Sequence, residues 1–432
     1  MIRRILLPFH LLILGWLRFD GLWRHPDFLK LWAGQTISQI GSRISRDGLP
    51  LIAVLLLAAS PAEMGVLAAL ASAPSLVLGL IVGVWIDRLP RRPILIVADL
   101  GRFILLMLIP LAALTGHLSL YLLYAITVGV GVLSLVFTVA YEALLPSLVS
   151  REHLLEGNTK LATTESLAEL GGPALAGLLI QALSAPLAIA VDALSFLVSV
   201  FSLAAIRAAE PSLTQPDPAV PPAFWLELRE GGRVILHHPV LRTLAFSQMG
   251  RTFFGNFYAA LYALYALREL GLSPAALGIV VAGGGVGALL GAAFAGSLPR
   301  RFGIGPTLVW TSLIGSLVAL LTPLAGGPSW FAALMLLIPQ IFGDGLATIF
   351  SINELSLRQR LVPDRLLGRA NGTVNFLTNA IAPIGALVGG ALATGIGARG
   401  ALLIAVFGWI ALSLIVVRSP VRAFRTVGAE IN

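Results

Sequence analysis

Five polar side chains interrupt one long apolar run near the start of the chain: Gln35, Gln39, Arg43, Arg46 and Asp47. Gln35, Gln39, Arg43 and Asp47 recur every four residues, a spacing that gathers them on one face of a helix, and Arg43 and Asp47 stand at the i,i+4 separation of an ion pair. Two kinds of chemistry suit such a face: uptake of a proton by the carboxylate, or attraction of a charged solute, with an arginine tuning either. The competing role is a permanent ion bridge holding two helices together. Later apolar runs carry Glu165 and Glu169 on a shared face, then Asp192, Arg251, Asn256 and Asp344. Asp47, Asp344 and Glu169 are the candidates for taking up protons. Gln35, Gln39, Arg43, Arg46, Arg251 and Asn256 are candidates for a substrate route, joined by Phe254, Tyr258 and Tyr262 from a ring-rich stretch suited to a wide apolar solute. Asp192 is expected near a helix start, where its carboxylate accepts a capping hydrogen bond.

Bond-making chemistry has no residues to stand on. The chain has 0 Cys and 6 His, and no two His share a metal-binding helical spacing with a Glu between them, so no metal site is expected. The glycine-rich "GIVVAGGGVGALLGAAF" has Ala288 where a dinucleotide turn needs its third glycine, and no ribose-binding acid follows. There is no phosphate loop ending in Gly-Lys-Ser/Thr and no Ser/His/Asp set. The sequence predicts a non-enzyme without cofactors.

A lone Asp or Arg at the bilayer centre costs ~2.5–3.5 kcal/mol, so the polar faces above must look onto protein or water. The elements that place them are membrane helices. The 432 residues are 57% hydrophobic and 12% charged, with 45 Gly and 26 Pro, and the mean hydropathy is +0.91. Spanning-length runs fall at 28–57, 62–86, 93–115, 118–141, 162–182, 186–206, 241–267, 274–298, 304–323, 329–352, 372–393 and 400–417. Runs of ~20 residues cross a bilayer as helices and are too long for barrel strands. The fold class is therefore an all-α polytopic membrane protein with twelve transmembrane helices. The formal net charge of +8 sits in residues that flank apolar runs, which points to a membrane surface and away from nucleic acid. Arg88, Arg91, Arg92, Arg151, Lys160, Arg300, Arg301, Arg358, Arg360, Arg365 and Arg369 fall in one set of loops, against Arg268 and Arg399 in the other. The positive-inside rule then puts both termini in the cytoplasm.

One constant shift carries His25-Pro26 onto His238-Pro239, Gln35 onto Gln248, Ser60 onto Ser273, Gly83 onto Gly296, Arg88 onto Arg301, Val149 onto Val362 and Asn158 onto Asn371. A single offset held that long implies a duplicated unit. The expected organisation is a cytoplasmic or interfacial leader at 1–27, a six-helix bundle at 28–206, a Pro-rich cytoplasmic linker at 207–240, a second six-helix bundle at 241–417 and a cytoplasmic tail at 418–432.

The turn "GVWIDRLPRRP" packs Gly83, Asp87, Arg88, Arg91 and Arg92 between two apolar runs, and its repeat keeps Gly296, Arg300 and Arg301 without the Asp. A charged knot of this kind either anchors the inner surface or locks one packing of a bundle and releases it in another. Gly83, Asp87 and Arg88 match, and Arg91 and Arg92 match one position early, the signature after the second span of the major facilitator superfamily, which the chain resembles over about Leu31 to Val417. "LWAGQTISQIG" and "GNTKLATTESLAELGGPALAG" are similar to the branch that holds the enterobactin exporter and macrolide-efflux proteins. The resemblance implies two halves rocking about a central route, with export coupled to proton entry and no requirement beyond a monomer. It makes the charged turn a cytoplasmic gate, with Asp99, Arg102, Glu142, Arg301 and Glu354 as further members. It also makes Gly172, Pro173 and Gly177, and their counterparts Pro383 and Gly385, sites of bending and close packing. The functional reading is a secondary exporter of amphipathic small molecules (a drug, a macrolide-like or a siderophore-like compound) in a bacterial inner membrane, working among lipid with protons as its energy source. Proton-coupled uptake of an organic nutrient or lipid-derived molecule, and a nontransporting receptor or scaffold, are the alternatives.

Overall fold

The computed structural model of the chain describes residues 21–86, 89–208 and 224–424. The expected leader up to residue 20, Asp87 and Arg88 of the charged turn, the Pro-rich stretch 209–223 and the tail from 425 lie outside the described residues.

The described chain is helical throughout. In order, the helices are α1 (Pro26–Leu55), α2 (Pro61–Ile86), α3 (Arg91–Leu114), α4 (Leu120–Leu148), α5 (Leu154–Leu183), α6 (Ala185–Ala204), α7 (Phe224–His237), α8 (Pro239–Leu264), α9 (Pro274–Phe294), α10 (Ser297–Phe302), α11 (Ile304–Val318), α12 (Leu321–Leu324), α13 (Ser329–Ile338), α14 (Asp344–Leu361) and α15 (Asp364–Arg418). Among the described residues, nine helical runs are long and apolar enough to cross a bilayer. This is an all-α polytopic membrane fold. The sequence predicts twelve crossings, three more than these nine, and the two numbers differ at two kinds of place. First, α15 is one run of helix interrupted at Gly397, whose φ of 76° and ψ of 163° break it in two. Second, α1 and α8 fall short in apolar character, because they carry the charged and hydrogen-bonding side chains that the sequence singles out.

Local sequence explains the helix ends. His25 Nδ1 accepts the N–H of Phe28 at 3.2 Å, and Pro26 supplies the first-turn φ. Ser60 and Glu63 form a reciprocal capping box at α2, with Ser60 N–H on Glu63 Oε2 at 2.7 Å and Glu63 N–H on Ser60 Oγ at 3.4 Å. In the repeat, Ser273 caps α9 through Ala276 N–H at 3.2 Å. Ala276 stands where Glu63 does, so only half of the box survives. Asp27, at the first turn of α1, takes the Lys30 ammonium at 2.7 Å and the backbone N–H groups of Arg207 and Ala208. The Lys30 hydrogen bond, aided by those two N–H groups, holds its carboxyl below the usual range of about 3.8.

The repeat is also written in the backbone. Ser184, between α5 and α6, has φ 92° and ψ 156°, and the shift that maps the two halves carries it onto Gly397. The same conformation recurs, at a residue that tolerates it and at one that does not.

Packing differs between the two ends of the molecule. At one end a single buried core runs through both parts of the chain, taking in Ile52, Met64, Ile180 and Ile189 along with Leu261, Tyr265, Leu277 and Leu402. At the other end it divides. Phe28, Leu95, Leu144 and Leu203 pack together in one cluster, and Val240, Leu308, Leu357 and Val416 in another.

Candidate functional site

Between the helices lies a cavity of about 1150 Å³, lined from both parts of the chain. Ser42, Ser45, Arg46, Asp47 and Asp192 face it from one side, and Arg251, Asn256, Tyr258, Tyr262, Asp344 and Trp409 from the other. Such a volume suits a drug-sized molecule.

On the first side every charge has a charged or hydrogen-bonded environment within the protein. Asp192 is fully buried, takes the Ser45 hydroxyl and accepts Ser195 Oγ at 3.1 Å. It sits well inside α6, so the expected helix-start role is corrected: the carboxylate is a mid-helix group braced by serines from its own helix and α1. Arg102 is paired with Asp99 and held between the rings of Phe137 and Phe196, its guanidinium carbon 4.2 and 4.3 Å from their centroids. Asp99 and Arg102, expected among the gate residues, instead form a buried pair behind Asp192. The Asp99–Arg102 spacing of three and the serines at 195 and 199 are signals in the sequence that, read together, locate this cluster.

The expected Arg43–Asp47 pair is corrected as well. Arg43 bonds to Glu169 of α5 at 3.1 Å. The cause is Gly172, where a Cβ would stand 2.5 Å from Arg43 Cβ: the two helices touch there, and Arg43 runs along α5 to a glutamate three residues back. Glu169 is therefore occupied, and Arg43 and Glu169 stand off the cavity wall. Gln35 does too, donating to Ser199 Oγ at 3.0 Å in a buried contact, and so does the half-buried Gln39. Asp47 and Arg46 do line the cavity, and the Asp47 Oδ2 atom is buried without a hydrogen-bond partner.

On the second side, Arg251 Nη2 donates to Ser312 Oγ at 2.8 Å, Ser312 O at 3.2 Å and Ser413 Oγ at 3.3 Å, and the guanidinium lies 5.1 Å from the Phe350 ring centroid. Asn256 is turned back onto Thr252 O at 2.8 Å. Tyr258 stacks on Trp409 with centroids 4.9 Å apart, and Trp409 Nε1 donates to Arg251 O at 3.1 Å. Tyr262 follows at 6.2 Å from Tyr258. Phe254 is not on the wall; its ring packs over Gly408, against the second helix of α15. Asp344 opens α14 directly after a π-helical turn at Pro339–Gly343, which sets Gln340 and Asp344 against Gly284 of α9. Pro339 removes one N–H from the helical ladder there, and such π-turns recur at functional sites.

The gate candidates divide. Arg92 caps α6 by donating to Leu203 O at 2.7 Å and to Ala204 O. Glu354 pairs with Arg358 of its own helix at 3.1 Å, in the interior. Arg301 lies over Phe302 at 5.3 Å, Glu142 is exposed, Arg91 opens α3 and Gly83 belongs to α2.

At the end with the common core, two glycine contacts bring the two parts of the chain together. A Cβ on Gly390 of α15 would stand 2.6 Å from Pro61 O and 2.8 Å from the Gly65 Cα of α2; one on Gly177 of α5 would stand 3.0 Å from the Gly278 Cα of α9. The internal repeat exchanges these pairs, Gly65 with Gly278 and Gly177 with Gly390. Pro173 places its carbonyl over Gly278, and Gly385 meets the Phe253 backbone, while Pro383 lies two residues before it within α15. Arg268 adds a strap, donating to Ala59 O at 2.7 Å and Val54 O at 2.8 Å, and Gln181 accepts Ala275 N–H at 3.2 Å.

Residues 31–380 match the Major Facilitator Superfamily. The multidrug efflux pump Tap of Mycolicibacterium fortuitum is 27% identical over 409 residues, covering 92% of this chain and 96% of that protein. The enterobactin exporter EntS of Salmonella typhimurium is 26% identical over 413 residues, covering 93% and 94%. Among solved structures, a bacterial homologue of the iron transporter ferroportin in an inward-facing state superposes with a TM-score of 0.70 at 18% identity, covering 92% of this chain and 99% of that one.

Proposed function

The chain belongs to the Major Facilitator Superfamily, whose members are transporters and not enzymes, and from that premise we propose that it exports amphipathic small molecules in exchange for protons. That it is a secondary transporter of small molecules across a membrane follows from the family; direction, coupling ion and cargo are our reading. The observation that carries it is the cavity of about 1150 Å³ between helices whose core is common at one end and divided at the other. An arrangement sealed at one end and parted at the other is one of the two states that alternating access needs. The reading assigns twelve crossings to α1–α6, α8, α9, α11–α12, α13–α14 and the two parts of α15, in two six-helix bundles joined through 207–240. It sets both termini in the cytoplasm of a bacterial inner membrane, the sealed end outward, and a monomer as the working unit. Similarity to an efflux pump and an exporter over most of the chain supports the outward direction.

Within this reading Asp47, Asp344 and Asp192 are the carboxylates that face the cavity and compete for the coupling proton. Glu169, held by Arg43, serves the packing of α1 on α5. Inverted membrane vesicles test the proposal. An acid-inside gradient should drive a panel of amphipathic dyes into the lumen, and Asp47→Asn at equal abundance should weaken the dependence on the gradient. Transport only in the opposite direction, or flux indifferent to the proton gradient, would refute exchange with protons.

A further inference from the structure

The charges on the two walls of the cavity are balanced differently. On the α1/α6 side, Asp47 has Arg46 and Arg43 nearby, Asp192 has Arg102, and Arg43 has Glu169. On the α8/α14 side no such balance exists among the described residues. Arg251 is satisfied by a carbonyl and two serine hydroxyls, all neutral, and its Nε is buried without a partner. Among the described residues no charged side chain stands close to it. Asp344 faces the cavity with Gln340 and Tyr262 beside it and, among the described residues, no cation within reach. A guanidinium and a carboxylate, each lacking a counter-charge, thus share one wall of one chamber.

They do not neutralise each other. Arg251 lies against Phe350, six residues along α14 from Asp344, and Tyr262, beside Asp344, is eleven residues along α8 from Arg251. At ~1.5 Å per residue the two charges are roughly 9–16 Å apart. Between them lies the stacked pair Tyr258–Trp409, a flat aromatic platform whose tryptophan is tied to the Arg251 backbone.

Building on the transporter reading above, we propose that this wall is a subsite for zwitterionic substrates: Arg251 takes an anionic group, Asp344 takes an ammonium, and Tyr258 and Trp409 take the aromatic body between them. A buried ion without its partner is costly, and a dipolar ligand of this length compensates both charges at once. A ligand with one charge leaves the other bare. Specificity arises from that difference.

Three forms of one ring system isolate the effect: norfloxacin, a piperazinyl quinolone acid that is a zwitterion at neutral pH; its methyl ester, which keeps only the ammonium; and its N-acetyl derivative, which keeps only the carboxylate. Equilibrium dialysis against the full chain in lipid nanodiscs gives each affinity. The zwitterion should bind about tenfold or more tightly than either derivative. Arg251→Gln should bring it down to the level of the ester while leaving the ester unchanged. Asp344→Asn should bring it to the level of the N-acetyl form and leave that form unchanged. The unchanged ligand in each case shows that the variant is folded. Affinities within threefold of one another on the native protein, equal weakening of all three by either variant, or binding of none of them would overturn the subsite. Any of these results leaves gradient-driven dye flux in vesicles standing, and loss of that flux leaves the dialysis result standing.

Discussion

Replacing Gly390 by alanine tests the sealed end of the cavity. The new methyl would lie 2.6 Å from Pro61 O and 2.8 Å from Gly65 Cα, where ordinary contact begins at 3.4 Å. Both obstacles are backbone, so no side chain can swing away, and α2 and α15 must part by about 0.8 Å at this point. Overpacking of this kind costs about 1–3 kcal/mol. If the cost falls only on the arrangement sealed here, the balance with the opposite arrangement shifts by about 5–150-fold. The absence of cysteine gives a clean assay. Met64, 1% exposed and on the cavity wall beside Gly65, becomes the sole thiol in Met64→Cys. Labelling of intact cells with an impermeant maleimide should be slow in this variant and about fivefold faster or more once Gly390→Ala is added. Gly395→Ala, whose Cβ would meet nothing within 4 Å, should leave the rate alone. Equal rates with and without Gly390→Ala, at equal abundance, would show that the glycine contact does not hold this end shut.

Three further outcomes are expected. Ser184→Gly should raise the thermal midpoint, because the φ of 92° and ψ of 156° cost a non-glycine residue about 1–3 kcal/mol while glycine loses about 0.4–1 kcal/mol to the freedom of the unfolded chain; a lower midpoint would contradict the strain. Arg102→Leu should lower stability by about 3–5 kcal/mol at neutral pH, since it leaves Asp99 and Asp192 buried without their cation, and a denaturation midpoint equal to the native one would count against that cluster. Asp27, whose carboxyl is held below its ordinary value of 3.8, stabilises the tie between α1 and the end of α6 above that value and loses this contribution as pH falls through its lowered value. Melting curves of native protein and Asp27→Asn should therefore differ at neutral pH and converge in acid, and a constant gap down to the acid limit would refute the linkage.

Much of the molecule was legible beforehand. Chain-long hydropathy implies helices because backbone polar groups in lipid must pair within their own segment, and the fixed shift between halves implies paired features such as Ser60 and Ser273; that Ser184 and Gly397 share an unusual backbone emerges only in the structure. Capping at Ser60 and Ser273 was equally local. The polar residues of α1 and α8 announced a site, and for the same reason weakened the apolar signal of the helices that bear it.

Which of those residues meet was decided by helix rotation and crossing, and no local spacing contains that information. The i,i+4 rule favoured Arg43 with Asp47, yet the close approach of α5 at Gly172 gave Arg43 to Glu169. Gln35 points at Ser199 and Phe254 at Gly408, away from the cavity, while Asp192 joins it with Arg102 and Asp99 behind. Residue types and periodicity fix what a helix can bury; the partner it is buried against depends on contacts between segments far apart in the chain, and only the packed structure supplies them.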